Sequence, residues 1–331
     1  MIRPTISIVT PSFQQSAYLE TAIRSVLYQD YPASEYYVID GASSDGSVEI
    51  IRKYENRLSG WISEKDRGQA DAINKGFSRC SGDIFGWINS DDFYLSNTFS
   101  AVADFFASHP DTDLVYGDVL SLDGYGKLLN VMRFADYDMN DLMTFRIISQ
   151  PAVFFRRTAW EKAGGLDLDY HYLLDHHLWL RIASRGKIAY AHSLWSAARF
   201  YAEAKNRAHA ADFGREALRL VEWMENDPLL RQAYQRNQRR IRGGAAWLDA
   251  NYLSNGGMAW KAVSRYWNAF CSYPERVLED RRRLALTLLM TVAPKKAAAI
   301  FEKKSINRLA KMKSFQKILE DELIRLSLSR D

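Results

Sequence analysis

The chain has 331 residues, 47% of them hydrophobic and 25% charged, which is enough for an α/β domain plus a second unit and too apolar for wholesale disorder. Its net charge of +4 hides an asymmetry: residues 1–200 carry 19 Lys/Arg against 25 Asp/Glu, and residues 201–331 carry 25 against 15. An acidic front half suits a cation-assisted site, and a basic tail suits an anionic partner or surface, or simply solvated helix faces. The two cysteines, Cys80 and Cys271, have no Cys-x-x-Cys spacing, which excludes a disulfide framework and a thiolate zinc site. The start MIRPTISIVT lacks a signal-type apolar region, and no apolar run approaches the roughly 20 residues that span a bilayer. A cytoplasmic protein is expected.

In chain order, ISIVT (residues 6–10) reads as a buried strand and residues 16–28 as a helix. YYVID (36–40) is the next strand, and GSVEIIRKYENRL the next helix. WISE (61–64) and DIFGWI (83–88) repeat the scheme, with a helix over 69–79 between them. Such alternation implies βαβ units and a mainly parallel sheet, whose ligand site lies at the carboxyl ends of its strands. Thr10, Asp40, Glu64 and Asp91 fall at or just beyond four of those ends.

A helix near 97–108, a strand DLVYGDV (113–119) and a turn near 122–127 follow. AVFFRRTAWEKAGGLD reads as strand, helix and glycine-rich turn, and DHHLWLRIASRG as a helix. Beyond residue 201 only helical patterns appear, broken at Pro228, Gly256-Gly257, Pro274 and Pro294. Two domains are expected, an α/β domain over 1–200 and a helical domain over 201–331.

The stretch WINSDD (87–92) ends an apolar run on two adjacent carboxylates, Asp91 and Asp92. Such a pair at a strand end binds Mg²⁺ or Mn²⁺ through oxygen, often together with substrate phosphates. A single Asp in such a place is commonly a helix cap or turn residue, and Asp92 could cap the segment after it. Taken together, Asp40, Asp66, Asp91, Asp92 and Asp175 are too many for caps alone. Gly-x-x-x-x-Gly-Lys-Ser/Thr is absent, and TPSFQQ rather than Gly-x-Gly-x-x-Gly follows the first strand. A nucleotide bound here would rely on metal and polar side chains for its phosphates, with the small residues of DGASSDGS admitting a base or ribose.

TPSFQQ, VIDGASSDGS, SEKDRGQADAINKG, GDIFGWINSDD, SQPAVFFRR and LLDHHLWLR, in this order and spacing, strongly resemble the family-2 inverting glycosyltransferases over residues 6–200. The resemblance implies a GT-A fold, a Rossmann-like mixed, mainly parallel sheet flanked by helices, with a nucleoside-diphosphate sugar donor, taken as UDP-linked, and a Mn²⁺ or Mg²⁺ ion. By position it implies that Asp40 recognises the donor base, with Thr10, Pro11 and Ser12 at the pocket wall. Asp66 and Arg67 would line nucleotide and sugar, with the helix from Asp71 beneath them. Asp91 would meet ribose or a metal-bound water, and Asp92 the metal directly. Asp175 falls at the position of the general base, and Gln150 and Pro151 on the acceptor side. Where many relatives carry a second acid, this chain has His177, which could orient Asp175 or meet the acceptor; Asp167 and Asp169 remain alternatives for the base. Arg199, Tyr201 and Lys205 fall where relatives close the donor site. The expected reaction is transfer of a sugar to a saccharide or lipid-linked saccharide acceptor in surface polysaccharide or glycolipid assembly. A different reading is a catalytically idle sugar-nucleotide-binding scaffold, against which the intact Asp91, Asp92 and Asp175 speak.

In the tail, the apolar stretch at 284–294 lies between Arg281-Arg282-Arg283 and Lys295-Lys296. It suits either peripheral docking in an anionic membrane interface or a core helix with charged ends. Trp247, Trp260 and Trp267 at helical spacings are expected in a bundle core. Nothing in the basic tail resembles a nucleic-acid module, so no nucleic-acid partner is expected.

Overall fold

A computed structural model of the chain describes residues 3–32, 34–201 and 209–328. It opens with strand β1 (Ile6–Ser12), helix α1 (Ser16–Leu27), strand β2 (Ser34–Asp40), helix α2 (Ser47–Lys53), strand β3 (Gly60–Ser63), helix α3 (Gln69–Phe77) and strand β4 (Ile84–Trp87). β1 is buried along its whole length, as a central parallel strand covered on both faces must be. Its run continues through Pro11 and Ser12, whose backbones stay in register with Ile39 and Asp40.

α3 packs on β1 at close range because Gly76 has no side chain: a Cβ there would stand 2.5 Å from Val9 Cγ1. Gly76→Ala is therefore expected to destabilise the chain by about 1–3 kcal/mol through overpacking, read as a lowered midpoint in urea. An unchanged midpoint would mean that the helix can ride outward at no cost.

Next come strand β5 (Phe93–Tyr94), helix α4 (Thr98–Ser108), strands β6 (Thr112–Leu122) and β7 (Leu128–Met132), helix α5 (Met139–Met143), strand β8 (Val153–Arg156), helices α6 (Arg157–Ala163) and α7 (Leu174–Ala183), and strand β9 (Lys187–Arg199). The nine strands form one mixed sheet in the order β3-β2-β1-β4-β8-β6-β9-β5, with β7 beside β6. β1 to β4 are mutually parallel, β8 runs antiparallel between β4 and β6, and β9 runs parallel to β6. β9 is not anticipated by the sequence reading. Its KIAYAHSLWSAAR is rich in Ala and Ser, and it becomes a strand by lying between β6 and β5.

The core below the sheet is aromatic. Phe77 stacks on Phe85 at 4.6 Å, Phe155 on Trp160 at 5.9 Å and Trp87 on Trp179 at 5.2 Å between ring centroids.

Contacts divide the chain into two compact units, one of residues Met1–Asp136, Ile148–Arg199 and Lys313–Asp331, the other of Tyr137–Ile147 and Phe200–Met312. The second unit is helical where described: α5, then α8 (Ala210–Asn226), α9 (Arg231–Asn255), α10 (Ala259–Ser272), α11 (Pro274–Glu279), α12 (Arg281–Val292) and α13 (Pro294–Ala310). Pro274 and Pro294 each start a helix, where the missing N–H costs nothing. Ala250, Leu253, Ala262, Tyr266, Ala269 and Val277 form one of its cores. Two of the three tryptophans expected in that core are instead exposed: Trp260 by 72% and Trp267 by 66%. Helical spacing marks a stripe, but which stripe is covered depends on the neighbouring helices. Trp247 is partly buried, with the Arg276 guanidinium 3.6 Å above its ring.

The last helix, α14 (Lys313–Leu328), belongs to the sheet-bearing unit rather than to the helical one. Glu322 accepts a hydrogen bond from the Ser96 amide at 3.0 Å, and Arg325 donates to the Tyr28 carbonyl at 2.9 Å.

Candidate functional site

The parallel strands β1 to β4 end on one edge of the sheet, and four groups of polar residues gather there. At the end of β2, Asp40 is fully buried. Its carboxylate accepts from the Ser43 amide (2.9 Å), the Ser43 hydroxyl (2.6 Å) and the Ser63 hydroxyl at the end of β3 (2.7 Å). The small residues of the DGASSDGS loop thus fix this carboxylate in place.

Gly41, next in sequence, leaves room for Asp66: a Cβ on it would lie 2.9 Å from Asp66 Oδ2 and 3.1 Å from Phe13. Asp66 itself accepts from the Gly68 amide at 2.8 Å. At the end of β1, Ser12 accepts the Gly41 amide at its carbonyl (2.8 Å), and its buried hydroxyl has no protein partner among the described residues. Pro11 is buried beside it. Thr10 is turned to the core, its hydroxyl 2.9 Å from that of Tyr36.

The second group sits at the start of α3. Asp71 accepts from the Arg67 amide and guanidinium, both at 3.1 Å, and Lys75 lies 3.4 Å away. Burial works against this carboxylate's charge, but the Arg67 amide and guanidinium and the Lys75 ammonium outweigh it and hold its pKa below the usual range. Arg67 keeps most of its side chain in solvent.

The third group is the acidic pair after β4. Asp92 is buried, whereas Asp91 is only half-buried. Asp92 Oδ1 accepts from the Arg199 amide at 2.9 Å, and its Oδ2 is 3.4 Å from the Asn89 amide nitrogen. Asn89 in turn accepts from Gln69 at the first position of α3, at 2.7 Å. The Arg199 guanidinium donates to the Asp91 carbonyl and lies over the rings of Tyr18 and Phe93, at 4.9 and 5.3 Å. Burial, followed by the neighbouring Asp91 charge, pushes the Asp92 carboxyl well above the ordinary carboxylate range, more than the hydrogen bonds and charge of Arg199 pull it down. Arg199 thus offsets the burial of the Asp92 charge only in part. Tyr201 is half-buried, and Lys205 lies outside the described residues.

The fourth group comes from the 3-10 turn before β8, where Gln150 meets the end of β4, and from the start of α7. Gln150 is buried, donates to the Trp87 carbonyl at 2.7 Å, and leaves its own buried side-chain oxygen without a protein partner among the described residues. Pro151 follows in the same 3-10 turn. Asp175, in the first turn of α7, is half-buried and accepts the His176 amide at 2.7 Å. One turn further along that helix, Trp179 stacks on Trp87, the residue that begins WINSDD. His177 is buried, with Asp167 Oδ2 4.0 Å from its Nδ1 and the Tyr170 ring at 4.2 Å.

Gln69, Asn89 and Trp179 were not singled out from the sequence. Gln69 and Asn89 sit inside quoted motifs, but only the fold joins them. Trp179 reads as an ordinary apolar helix position, and its partner across the sheet has no sequence signal.

The glycosyl transferase family 2 model matches residues 7–162 of the chain. The chain is 32% identical over 187 residues to an uncharacterized glycosyltransferase of Mycobacterium tuberculosis, spanning 54% of this chain and 69% of that one. It is 29% identical over 179 residues to a PGL/p-HBAD biosynthesis glycosyltransferase of the same organism, spanning 53% and 68%. Among solved structures, TarS residues 1–349 of S. aureus in complex with UDP-GlcNAc is similar in fold, with a TM-score of 0.57 and 14% identity over 96% of this chain and 90% of that one. The mannosyltransferase PcManGT of Pyrobaculum calidifontis, in complex with GDP-Man and Mn²⁺, has a TM-score of 0.53 and 17% identity over 100% and 89%. The fold is thus of the GT-A type, with helices in the C-terminal region.

Proposed function

This chain belongs to glycosyltransferase family 2, and we propose that it is a metal-assisted, inverting transferase. It moves a sugar from a UDP-linked donor to a hydroxyl of a saccharide or lipid-linked saccharide acceptor in glycolipid or surface polysaccharide synthesis, in peripheral contact with a membrane. The observation that carries the reading is the meeting of carboxylates from separate elements, Asp40, Asp66 and Asp91, at one sheet edge. The relative of known pathway and the two sugar-nucleotide complexes support it.

The residues fit a hard divalent cation. Asp91 and Asp92 offer oxygen alone, and the raised affinity of Asp92 for a proton marks a buried negative site that lacks a full counter-charge. Among the described residues no three His, Cys, Asp or Glu cluster. Mg²⁺ or Mn²⁺ in such enzymes needs only one or two carboxylates, the rest of its shell being phosphate and water. Asp91 and Asp92 would hold the ion, which when bound supplies Lewis-acid stabilisation of the departing diphosphate.

Asp40 and Ser12 bind the base side of the donor, and Asp66 with Arg67 the ribose, phosphate and sugar side. Gln150, with its unpartnered oxygen, and His177 orient the acceptor. Asp175 takes the proton of the acceptor hydroxyl as its oxygen bonds to the anomeric carbon and the bond from that carbon to the diphosphate breaks.

The test is thermal shift with a panel of nucleotide sugars, with and without Mn²⁺, followed by release of nucleoside diphosphate. A UDP-sugar with Mn²⁺ is expected to stabilise the chain by about 2.7 kcal/mol at a hundredfold excess over Kd, and by more than either does alone. Stabilisation with no diphosphate released under any acceptor would favour the idle scaffold. No stabilisation by any UDP- or GDP-sugar would overturn the donor assignment.

A further inference from the structure

Two successive helices of the second unit carry outward faces of an unusual kind. Residues 281–312 hold nine Lys/Arg and one acidic residue, Glu302. The inward side of α12 is settled by packing: Leu284 lies against the core of Ala250, Leu253 and Tyr266, and the buried Thr287 hydroxyl is 2.8 Å from that of Ser254. What remains outward follows helical spacing: Arg281, Ala285, Leu288 and Val292 are exposed, Val292 by 75%. After Ala293 the pattern resumes on α13. Ala297 is buried, while Lys295, Lys296, Ile300, Lys303 and Ile306 are exposed, Ile306 by 60%. Neither face is a simple solvated charge face, because exposed aliphatic side chains stand among cations that outnumber the acids of this stretch nine to one.

We propose, extending the glycosyl-transfer reading, that the outward faces of α12 and α13 dock the enzyme on an anionic lipid bilayer. Leu288, Val292, Ile300 and Ile306 enter the headgroup boundary, and the surrounding Lys and Arg pair with lipid phosphates. Charge complementarity selects this occupant: an anionic leaflet attracts clustered Lys/Arg, each worth roughly a fivefold gain in partitioning, while the aliphatic side chains add burial that a free polyanion could not supply. The helices lie on the surface rather than crossing it, since among the described residues no helix is long and apolar enough to span a membrane. Such docking would bring the enzyme to lipid-linked acceptors.

The test is sedimentation of the full chain with vesicles of pure phosphatidylcholine and with vesicles that also contain phosphatidylglycerol. Binding is expected only to the second kind, weakening as salt is raised. Both Lys295→Glu/Lys296→Glu and Leu288→Ser/Val292→Ser should reduce it, the first by at least about tenfold. All four positions are exposed, so both variants should unfold at the wild-type temperature and release diphosphate from donor at the wild-type rate. Failure of the glycosyl-transfer reading would show in that release and leave vesicle binding untouched. Equal binding to both vesicle kinds, no binding to either, or a dimer that the serine variant dissociates would each overturn the proposal. The last result would make the face a contact between copies of the chain.

Discussion

Asp175→Asn is expected to lower the rate of sugar transfer by about two to four orders of magnitude, the usual worth of a positioned general base. Asn keeps the size and one acceptor oxygen, so the His176 amide retains a partner and the start of α7 should be undisturbed. The stack of Trp179 on Trp87 lies a full turn away and holds the helix to the strand end independently. The thermal shift with UDP-sugar and Mn²⁺ should therefore match that of the wild type while kcat falls. Full transfer by the variant would move the base elsewhere. Asp167, already within 4.0 Å of His177, would then be the first residue to replace.

A comparable loss is expected from Asp92→Asn, for a different reason. If Asp92 helps to hold a cation that stabilises the leaving diphosphate, losing its charge should cost at least about a hundredfold in Mn²⁺-dependent turnover. The effect on stability should run the other way. In a chelator, the folded chain holds the Asp92 proton more tightly than the unfolded chain does, because burial and the Asp91 charge raise its pKa. Stability then falls as pH rises from the unfolded carboxylate value of about 3.9 through the raised folded one. The Asn variant has no charge to bury and should lose less stability over that interval. Thermal midpoints against pH, with EDTA present, read this directly. Parallel profiles for the two proteins would show that Asp92 ionises in the fold at no unusual cost. Mn²⁺-dependent turnover at the wild-type rate would remove it from the metal site.

How much of this was legible in the sequence differs by element. The βαβ half from Ile6 to Trp87 is written locally. Buried strands read as continuous apolar runs, their helices as amphipathic periods, and polar residues fall just beyond the strand ends. The helix starts at Pro274 and Pro294 are equally local. β9 was not legible, because its many Ala and Ser carry little strand preference and its state comes from the partners on either side. The return of α14 to the sheet-bearing unit rests on Glu322 and Arg325, whose partners Ser96 and Tyr28 lie far away in the chain.

WINSDD shows the division most clearly. By itself the sequence determined that an apolar strand ends on two carboxylates, with other acids just beyond neighbouring strands, because residue type and an unbroken apolar run depend on nothing distant. Only the tertiary structure decided that the two differ. The end of β9 delivers the Arg199 amide to Asp92 and its guanidinium to the Asp91 carbonyl, leaving one carboxylate buried and short of counter-charge and the other half in solvent. That difference arises from desolvation, which is set by the packing around a residue and not by its neighbours in the chain.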